Sequence, residues 1–320
     1  MVTSVGMNKA VYHANSNALK QAWSTPYSDG QDPWLMGRLG PGAGSSPTLM
    51  EAWQDDDTSA AYVIITDGAT SPMSILAFET SDGVLVASAP VDFGDAAGLG
   101  ANVTSEQSVV VTGGRAAVVN NYVVDQVGRF CGEIFAALPI NDVIKHSCPM
   151  MFGKHAFGVQ QFQMLPAGGG PAGVSLFPTW VNTDVSCTSS IPGVSVSLTG
   201  PETLYCLGHR RASFTVEAMD WLTGHSFFHE DLGHSLAWNS QYAGTEIGDH
   251  DDIVMGVMTG VLRVSARRGG RGARDARTAA ADEAPFVLDE VRKLGDAIDA
   301  GTYKGTDAEA LAELRVLMRV

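Results

Sequence analysis

The residues best suited to chemistry are acids and amides at the ends of short apolar runs. In SEQSVVVTGGRAAVVNNY (105–122), two β-branched runs flank Gly113-Gly114-Arg115. Glu106 opens the first run, and Asn120-Asn121 closes the second. In an antiparallel hairpin the start of one strand lies beside the end of the next, so Glu106 and Asn121 are expected as neighbours. The same reasoning sets Thr48 beside Asp67 in SSPTLMEAWQDDDTSAAYVIITDG (45–68). It puts Val194 and His209 at the ends of PGVSVSLTGPETLYCLGH (192–209), and Asn239 and Thr259 at the ends of NSQYAGTEIGDHDDIVMGVMTG (239–260).

The carboxylates of Glu106 and Asp67, with the amide oxygens of Asn121 and Asn239, form the hard-oxygen set that Ca²⁺ accepts, and Thr48 adds a hydroxyl for a small-molecule ligand. A calcium ion held there would polarise a carbonyl or lower the pKa of a bound water, the chemistry of a lactonase-type hydrolase. The competing reading is structural, because Asn and Asp at strand ends satisfy the backbone groups of turns.

Other constellations carry less. In HSFFHEDLGH (225–234), His225 and His229 are spaced to share one face of a strand, but His234 lies past Gly233 and out of register, so an exposed polar strand accounts for them. A quinone needs an aromatic platform with cations beside it. Trp180, Trp221 and Trp238 come without an Arg or Lys cluster, and Trp221 and Trp238 fall where an aromatic packs between sheets. There is no GxSxG elbow, phosphate loop or Rossmann glycine set. GGGPAG (168–173) has no following Lys or helix and reads as a loop.

The elements that must position these residues repeat. The segments 45–68, 105–122, 192–209 and 239–260 each run strand, Gly- or Asp-containing turn, strand. Two are followed by a second hairpin, MSILAFETSDGVLVASAP (73–90) and FTVEAMDWLTGHSFFHEDL (214–232), with Gly83 and Gly224 in the turns. Hairpin plus hairpin is a four-stranded antiparallel sheet, and such sheets in series predict an all-β protein, a β-propeller. A partial unit at 2–27, full units near 45–92 and 192–232, a less regular unit over 105–182 and a half unit at 239–265 give four or five recognisable blades. That number fits a truncated or irregular ring whose open edges a homodimer could cover.

The propeller domain is expected over 1–265. Residues 266–284 are rich in Arg and Gly and predict a flexible linker. Helical spacing over 285–300 and 307–319, the second capped by Thr306 with Glu309 three residues on, predicts a C-terminal helical hairpin within 285–320.

With 320 residues, 45% of them hydrophobic, the chain can bury a substantial core, and no apolar stretch reaches the ~20 residues of a membrane-spanning helix. A net charge of −15 disfavours nucleic acid and anionic membranes as partners and leaves a small molecule or another protein. Cys131, Cys148, Cys187 and Cys206 contain no CxxC spacing. Two disulfides, implying a secreted or periplasmic setting, or four buried thiols both fit. The N-terminus lacks the pattern of a secretory signal, so localisation stays open.

RLGPGAGSSPTLM (38–50), VIITDGATSPMSILAF (63–78), TSEQSVVVTGGRAAVVNNY (104–122), MDWLTGHSFFHEDLG (219–233) and WNSQYAGTEIGDHDDIVMGVMTGVLRV (238–264) together resemble an uncharacterised family of bacterial and algal propeller proteins in the quinoprotein alcohol dehydrogenase-like group. The resemblance spans roughly residues 5–265, departs over 123–182 and above all in FCGEIFAALPINDVIKHSCPMM (130–151), and implies a fold without an assigned reaction. Three functions follow as expectations: a binding or interaction module, a calcium-dependent lactonase-type hydrolase, and a quinone-dependent oxidoreductase.

Overall fold

The computed structural model describes residues 1, 3, 5–30, 42–53, 59–69, 73–95, 103–124, 154–166, 173–196, 201–210, 213–248 and 252–265. The expected linker at 266–284 and helical hairpin at 285–320 lie outside these residues, as do Cys131 and Cys148.

The chain is all-β, and its recurring element is the four-stranded antiparallel sheet of a propeller blade. In chain order the strands are β1 (Gly6–His13), β2 (Ala18–Pro26), β3 (Thr48–Trp53), β4 (Ser59–Thr66), β5 (Met73–Glu79), β6 (Leu85–Val91), β7 (Val110–Thr112), β8 (Arg115–Val119), β9 (Val123–Val124), β10 (Lys154–His155), β11 (Val159–Pro166) and β12 (Val174–Asn182). They continue with β13 (Gly193–Ser195), β14 (Thr203–Arg210), β15 (Ser213–Asp220), β16 (Ser226–Gly233), β17 (Thr245–Ile247), β18 (Ile253–Val257) and β19 (Gly260–Val264). Among the described residues three sheets have four strands, ordered β3-β4-β5-β6, β7-β8-β11-β12 and β13-β14-β15-β16. The hairpins expected at 45–68, 73–90, 105–122 and 214–232 are all present. The unit expected to be irregular is a regular sheet interrupted between β8 and β11, where β9 and β10 form a short ladder of their own. The last unit has three strands, β17-β18-β19, rather than the half blade expected. After the β17–β18 hairpin the chain turns at Met258-Thr259 and adds one further strand.

Two compact units can be distinguished. The first comprises Met1–Tyr122, Ala156–Ser186 and Leu222–His225; the second comprises the described residues of Val123–His155, Cys187–Trp221 and Ser226–Val320.

In the first unit, sheet β3–β6 is buried on both faces, which explains why its central strands read as nearly continuous apolar runs rather than as clean alternation. Along β4 and β5, Tyr62, Ile64, Ile75 and Ala77 face one way and share a core with Ala116, Val118, Phe162, Met164 and Leu176 of sheet β7-β8-β11-β12. Val63, Ile65, Leu76 and Phe78 face the other way and pack with Met7 and Trp23 of the β1–β2 hairpin and with Tyr27 just beyond it. Burying an Ile or Phe side chain contributes about 1.5–3 kcal/mol, so the alternation in β4 and β5 supplies two cores at once.

A contact made twice fixes the strand ends. Trp23 on β2 lies against Gly83 in the β5–β6 turn, and Trp180 on β12 lies against Gly224 in the β15–β16 turn; a Cβ added at either glycine would fall 2.4 Å from the indole. Both glycines have positive φ, 78° and 71°, which the turns require. Two residues beyond each tryptophan a polar side chain completes the contact. Thr25 Oγ1 donates to Gly83 O at 2.6 Å, and Asn182 Nδ2 donates to Gly224 O at 2.7 Å.

In the second unit, β15 is buried at seven of its eight positions, Glu217 included. That carboxylate accepts from Nε and Nη2 of Arg210, each at 2.8 Å, and from Thr215 Oγ1 at 2.6 Å, so the buried charge is paired and hydrogen-bonded. A disulfide joins Cys187, ahead of β13, to Cys206 on β14, with both cysteines fully buried.

Gly83→Ala and Gly224→Ala should each lower stability by about 1–3 kcal/mol, since each adds backbone strain and a clash with an indole. The exposed Ser81→Ala in the same turn as Gly83 should stay within about 0.5 kcal/mol; urea denaturation midpoints measure all three. Replacing both Cys187 and Cys206 by serine should cost about 2–4 kcal/mol, and hydrogen exchange should locate that loss in β13–β15.

Candidate functional site

Glu106 and Asn121 are neighbours, as their places in the hairpin require. Asn121 Oδ1 accepts from the backbone N–H of Glu106 at 2.8 Å and of Gln107 at 3.3 Å, and from Ser105 Oγ at 3.5 Å. The Asn121 N–H donates to Thr104 O at 2.7 Å. Four residues before β7, the chain therefore docks side-on against the end of β8. Asn121 is 1% exposed and its Nδ2 atom finds no acceptor among the described residues, while the Glu106 carboxylate lies directly against Gly44. The adjacent Asn120 binds its own surroundings, its Nδ2 donating to Phe157 O at 3.2 Å and its Oδ1 accepting from Tyr122 N at 3.0 Å.

Asp67 and Thr48 are not brought together in the same way. Thr48 pairs with Ile64, three residues short of Asp67, and its hydroxyl turns to Val109 O at 2.8 Å. Asp67 Oδ1 instead accepts from Ala69 N at 3.2 Å and Ser74 N at 2.8 Å, closing the β4–β5 turn. Ser45 occupies the place expected for Thr48, with Thr66 Oγ1 donating to its hydroxyl at 3.3 Å. The strand opens later in the sequence than its polar partner does.

Asn239 belongs to the second unit. It does not open a strand; it ends the 3-10 turn Leu236–Trp238, six residues before β17. Its Oδ1 accepts from Gln241 N at 2.8 Å and Ser189 Oγ at 3.2 Å. The segment before β13 supplies the acceptor itself: Ser190 Oγ accepts from Leu207 N of β14 at 2.7 Å, and Thr188 Oγ1 contacts His209 Nδ1 at 3.3 Å. Thr259 is exposed in the β18–β19 turn.

In each unit, then, a side-chain oxygen at a strand end gathers backbone N–H groups as a latch, from the entering segment at Asn121 and Asn239 and from the β4–β5 turn at Asp67. An amide oxygen already shared among three donors, as at Asn121, is poorly disposed toward a cation. The free edge of that group is an N–H, which calls for an acceptor. Among the described residues no group of three or more His, Cys, Asp or Glu side chains is placed to share a metal ion.

The histidines also separate. His225 precedes β16, His229 lies within it, and His234 follows it, all exposed. A bulge opposite Ala218/Met219 breaks the two-residue alternation between His225 and His229. Of the tryptophans, Trp221 is fully buried and Trp238 nearly so, whereas Trp180 serves the Gly224 turn.

A feature the sequence reading missed is an apolar groove in the first unit, about 600 Å³ in volume. Among the described residues the β1–β2 hairpin covers only part of the face of sheet β3–β6. Beside it the groove runs between Met7, Lys9 and Trp23 on one side and Leu49, Ala61 and Val63 on the other. Leu49 is 68% exposed there. Lys9 Nζ and Trp23 Nε1 both donate to Thr80 O, at 2.8 and 3.3 Å, and fix one end. Among the described residues Lys9 is the only charged side chain in the lining.

No protein-family model matches the chain. It is 30% identical over 271 residues to an uncharacterized protein of Archaeoglobus fulgidus, a match covering 80% of this chain and 48% of that protein. The chain thus spans about half the length of this relative. Among solved structures it is similar to the β-propeller domain of Myceliophteria thermophila Cps50 (Swd1), at 9% identity and a TM-score of 0.36, over 68% of this chain and 50% of that one.

Asn121→Ala should destabilise the first unit by about 1–3 kcal/mol, because it strands the Glu106 and Gln107 amides. Gly44→Ala should cost a similar amount, since Gly44 has φ of 67° and its Cβ would meet Glu106 Oε2 at 2.0 Å. Thermal melts of both variants, with and without added calcium, give the comparison: equal losses in both conditions are expected of a latch.

Proposed function

We propose that this chain is a non-catalytic binding module of propeller blades and that the groove of the first unit is its recognition surface. The observation that carries the reading is a groove of about 600 Å³ with apolar walls and an exposed leucine, set in a rigid two-sided core. Its size falls within the range of small-ligand and peptide sites, and a row of apolar side chains left in water costs free energy that a partner would recover. The latches at the strand ends favour the same reading. Asn121, Asp67 and Asn239 hold backbone amides through their Oδ1 atoms, so these oxygens serve the scaffold. The likeness to the quinoprotein alcohol dehydrogenase-like group stands on sequence motifs.

The test uses the fluorescent apolar probe anilinonaphthalene sulfonate. The full chain should enhance its emission, and Leu49→Asp should reduce the enhancement at least fivefold while leaving the melting temperature within 1–2 °C, because Leu49 is mostly exposed. Undiminished enhancement in Leu49→Asp would remove the groove as the binding surface.

A further inference from the structure

The second unit carries a strained turn on a cross-linked anchor, and we infer that the Cys187–Cys206 disulfide is a redox clamp on that turn. Closed, it keeps Gln241 and Tyr242 in a left-handed conformation; opened by a dithiol, it lets them relax. The inference is independent of the groove, which belongs to the first unit.

The strain sits in two neighbouring residues. Gln241 and Tyr242 have φ of 47° and 66°, and among the described residues they are the only adjacent pair of non-glycine residues with positive φ. A left-handed backbone brings Cβ too close to the following carbonyl oxygen, so such residues persist only where their surroundings over-determine them.

Here the surroundings centre on Ser189. Its carbonyl accepts from Tyr242 N at 2.8 Å and from Ser240 Oγ, while its own Oγ accepts from Ser240 N at 2.9 Å. The same Oγ donates to Asn239 Oδ1 at 3.2 Å, the atom that receives Gln241 N at 2.8 Å. Ser189 thus reaches both strained residues, one directly and one through Asn239.

Ser189 is anchored from its other side by the cystine. The amides of Ser189 and Ser190 both donate to Leu207 O at 3.1 Å, and Leu207 directly follows Cys206. Cys187 stands two residues before Ser189, so the disulfide closes a tight ring through these bonds. The ring also borders the seam between two sheets. Ile191 N donates to Ala243 O at 3.0 Å, Thr245 N donates to Ile191 O at 2.9 Å, and the hydroxyls of Ser190 and Thr245 share a bond of 2.9 Å. These bonds tie the entry of sheet β13–β16 to the entry of sheet β17-β18-β19.

Opening the clamp is a balanced exchange. One thiolate of the dithiol displaces a cysteine sulfur, its second thiol then displaces the first, and two electrons and two protons pass to the protein. The reductant leaves as a cyclic disulfide, and Cys187 and Cys206 remain as thiols. Ser189 is then held by hydrogen bonds without the covalent link, and the strain at Gln241 and Tyr242 biases the turn toward its relaxed form.

Backbone NMR of the full chain reads the turn directly, because Cα and Cβ chemical shifts distinguish positive from negative φ. Oxidised protein should show left-handed values at Gln241 and Tyr242. After dithiothreitol, with iodoacetamide capping to show that Cys187 and Cys206 are freed, both should move to negative-φ values while β18 and β19 keep their shifts. Cys187→Ser/Cys206→Ser should reproduce the change; where that variant does not fold, the same reduction of Cys131→Ser/Cys148→Ser makes the attribution. Gln241→Gly relieves the first strained position, since glycine accepts positive φ, and should leave Tyr242 left-handed after reduction. Left-handed values that persist once both cysteines are free would overturn the inference. So would a change spread equally through β18 and β19, or relaxation of Tyr242 in reduced Gln241→Gly. A change under dithiothreitol that Cys187→Ser/Cys206→Ser lacks, or that disappears in Cys131→Ser/Cys148→Ser, would trace the effect to other cysteines and equally overturn it.

Discussion

Close approach between an indole and a glycine turn organises the strand ends of this molecule. Flat sheets packed face to face can slide; a tryptophan lodged against a backbone with no Cβ, next to a side chain donating to that same glycine's carbonyl, removes the freedom. At Gly83 the contact sets the height of the β1–β2 hairpin over sheet β3–β6. That height decides which apolar residues are buried in the two-sided core and which, such as Leu49, remain in water. The groove is thus a consequence of where a two-stranded hairpin is pinned on a four-stranded face.

The strand-end polar groups answer a different physical demand. A propeller-type sheet brings each entering segment inward before its first strand starts, which buries backbone N–H groups that no ladder can satisfy. An unmet buried amide costs about 1–3 kcal/mol, so a side-chain acceptor at each entry is close to obligatory. Asn121 meets this demand for Glu106 and Gln107 and Asn239 for Gln241, while Asp67 serves Ala69 and Ser74 within the β4–β5 turn. The repetition of polar residues at equivalent points in the sequence therefore has a structural origin before any functional one.

Much of the fold was legible because hairpin signals are local. Gly113-Gly114 between β-branched runs specifies β7–β8, and the T-S-D-G and L-T-G turns specify β5–β6 and β15–β16. The pairing of Glu106 with Asn121 followed from strand order alone. Thr48 and Asn239 were misplaced because periodicity does not reveal how many residues a segment travels before its strand begins; the 3-10 turn at Leu236–Trp238 has no apolar rhythm to announce it. The bulge that separates His225 from His229 is likewise invisible to a two-residue alternation. The groove left no linear signature, for it arises from residues of β1, β2, β3 and β4 that meet only in space. One signal was available and unread: AWST (22–25) and TWVN (179–182) share a tryptophan followed two residues later by a hydrogen-bonding side chain, each opposite a glycine turn.

The cross-link between Cys187 and Cys206 lies entirely beneath the surface of the second unit. A thiolate must approach a sulfur in line to cleave such a bond, so attack awaits a spontaneous opening of the strands around it. The pace at which a mild reductant consumes the cystine in an otherwise native sample is thus a stopwatch for breathing motions in that region. Its reading is blind to whatever the blades at the other end of the chain are doing.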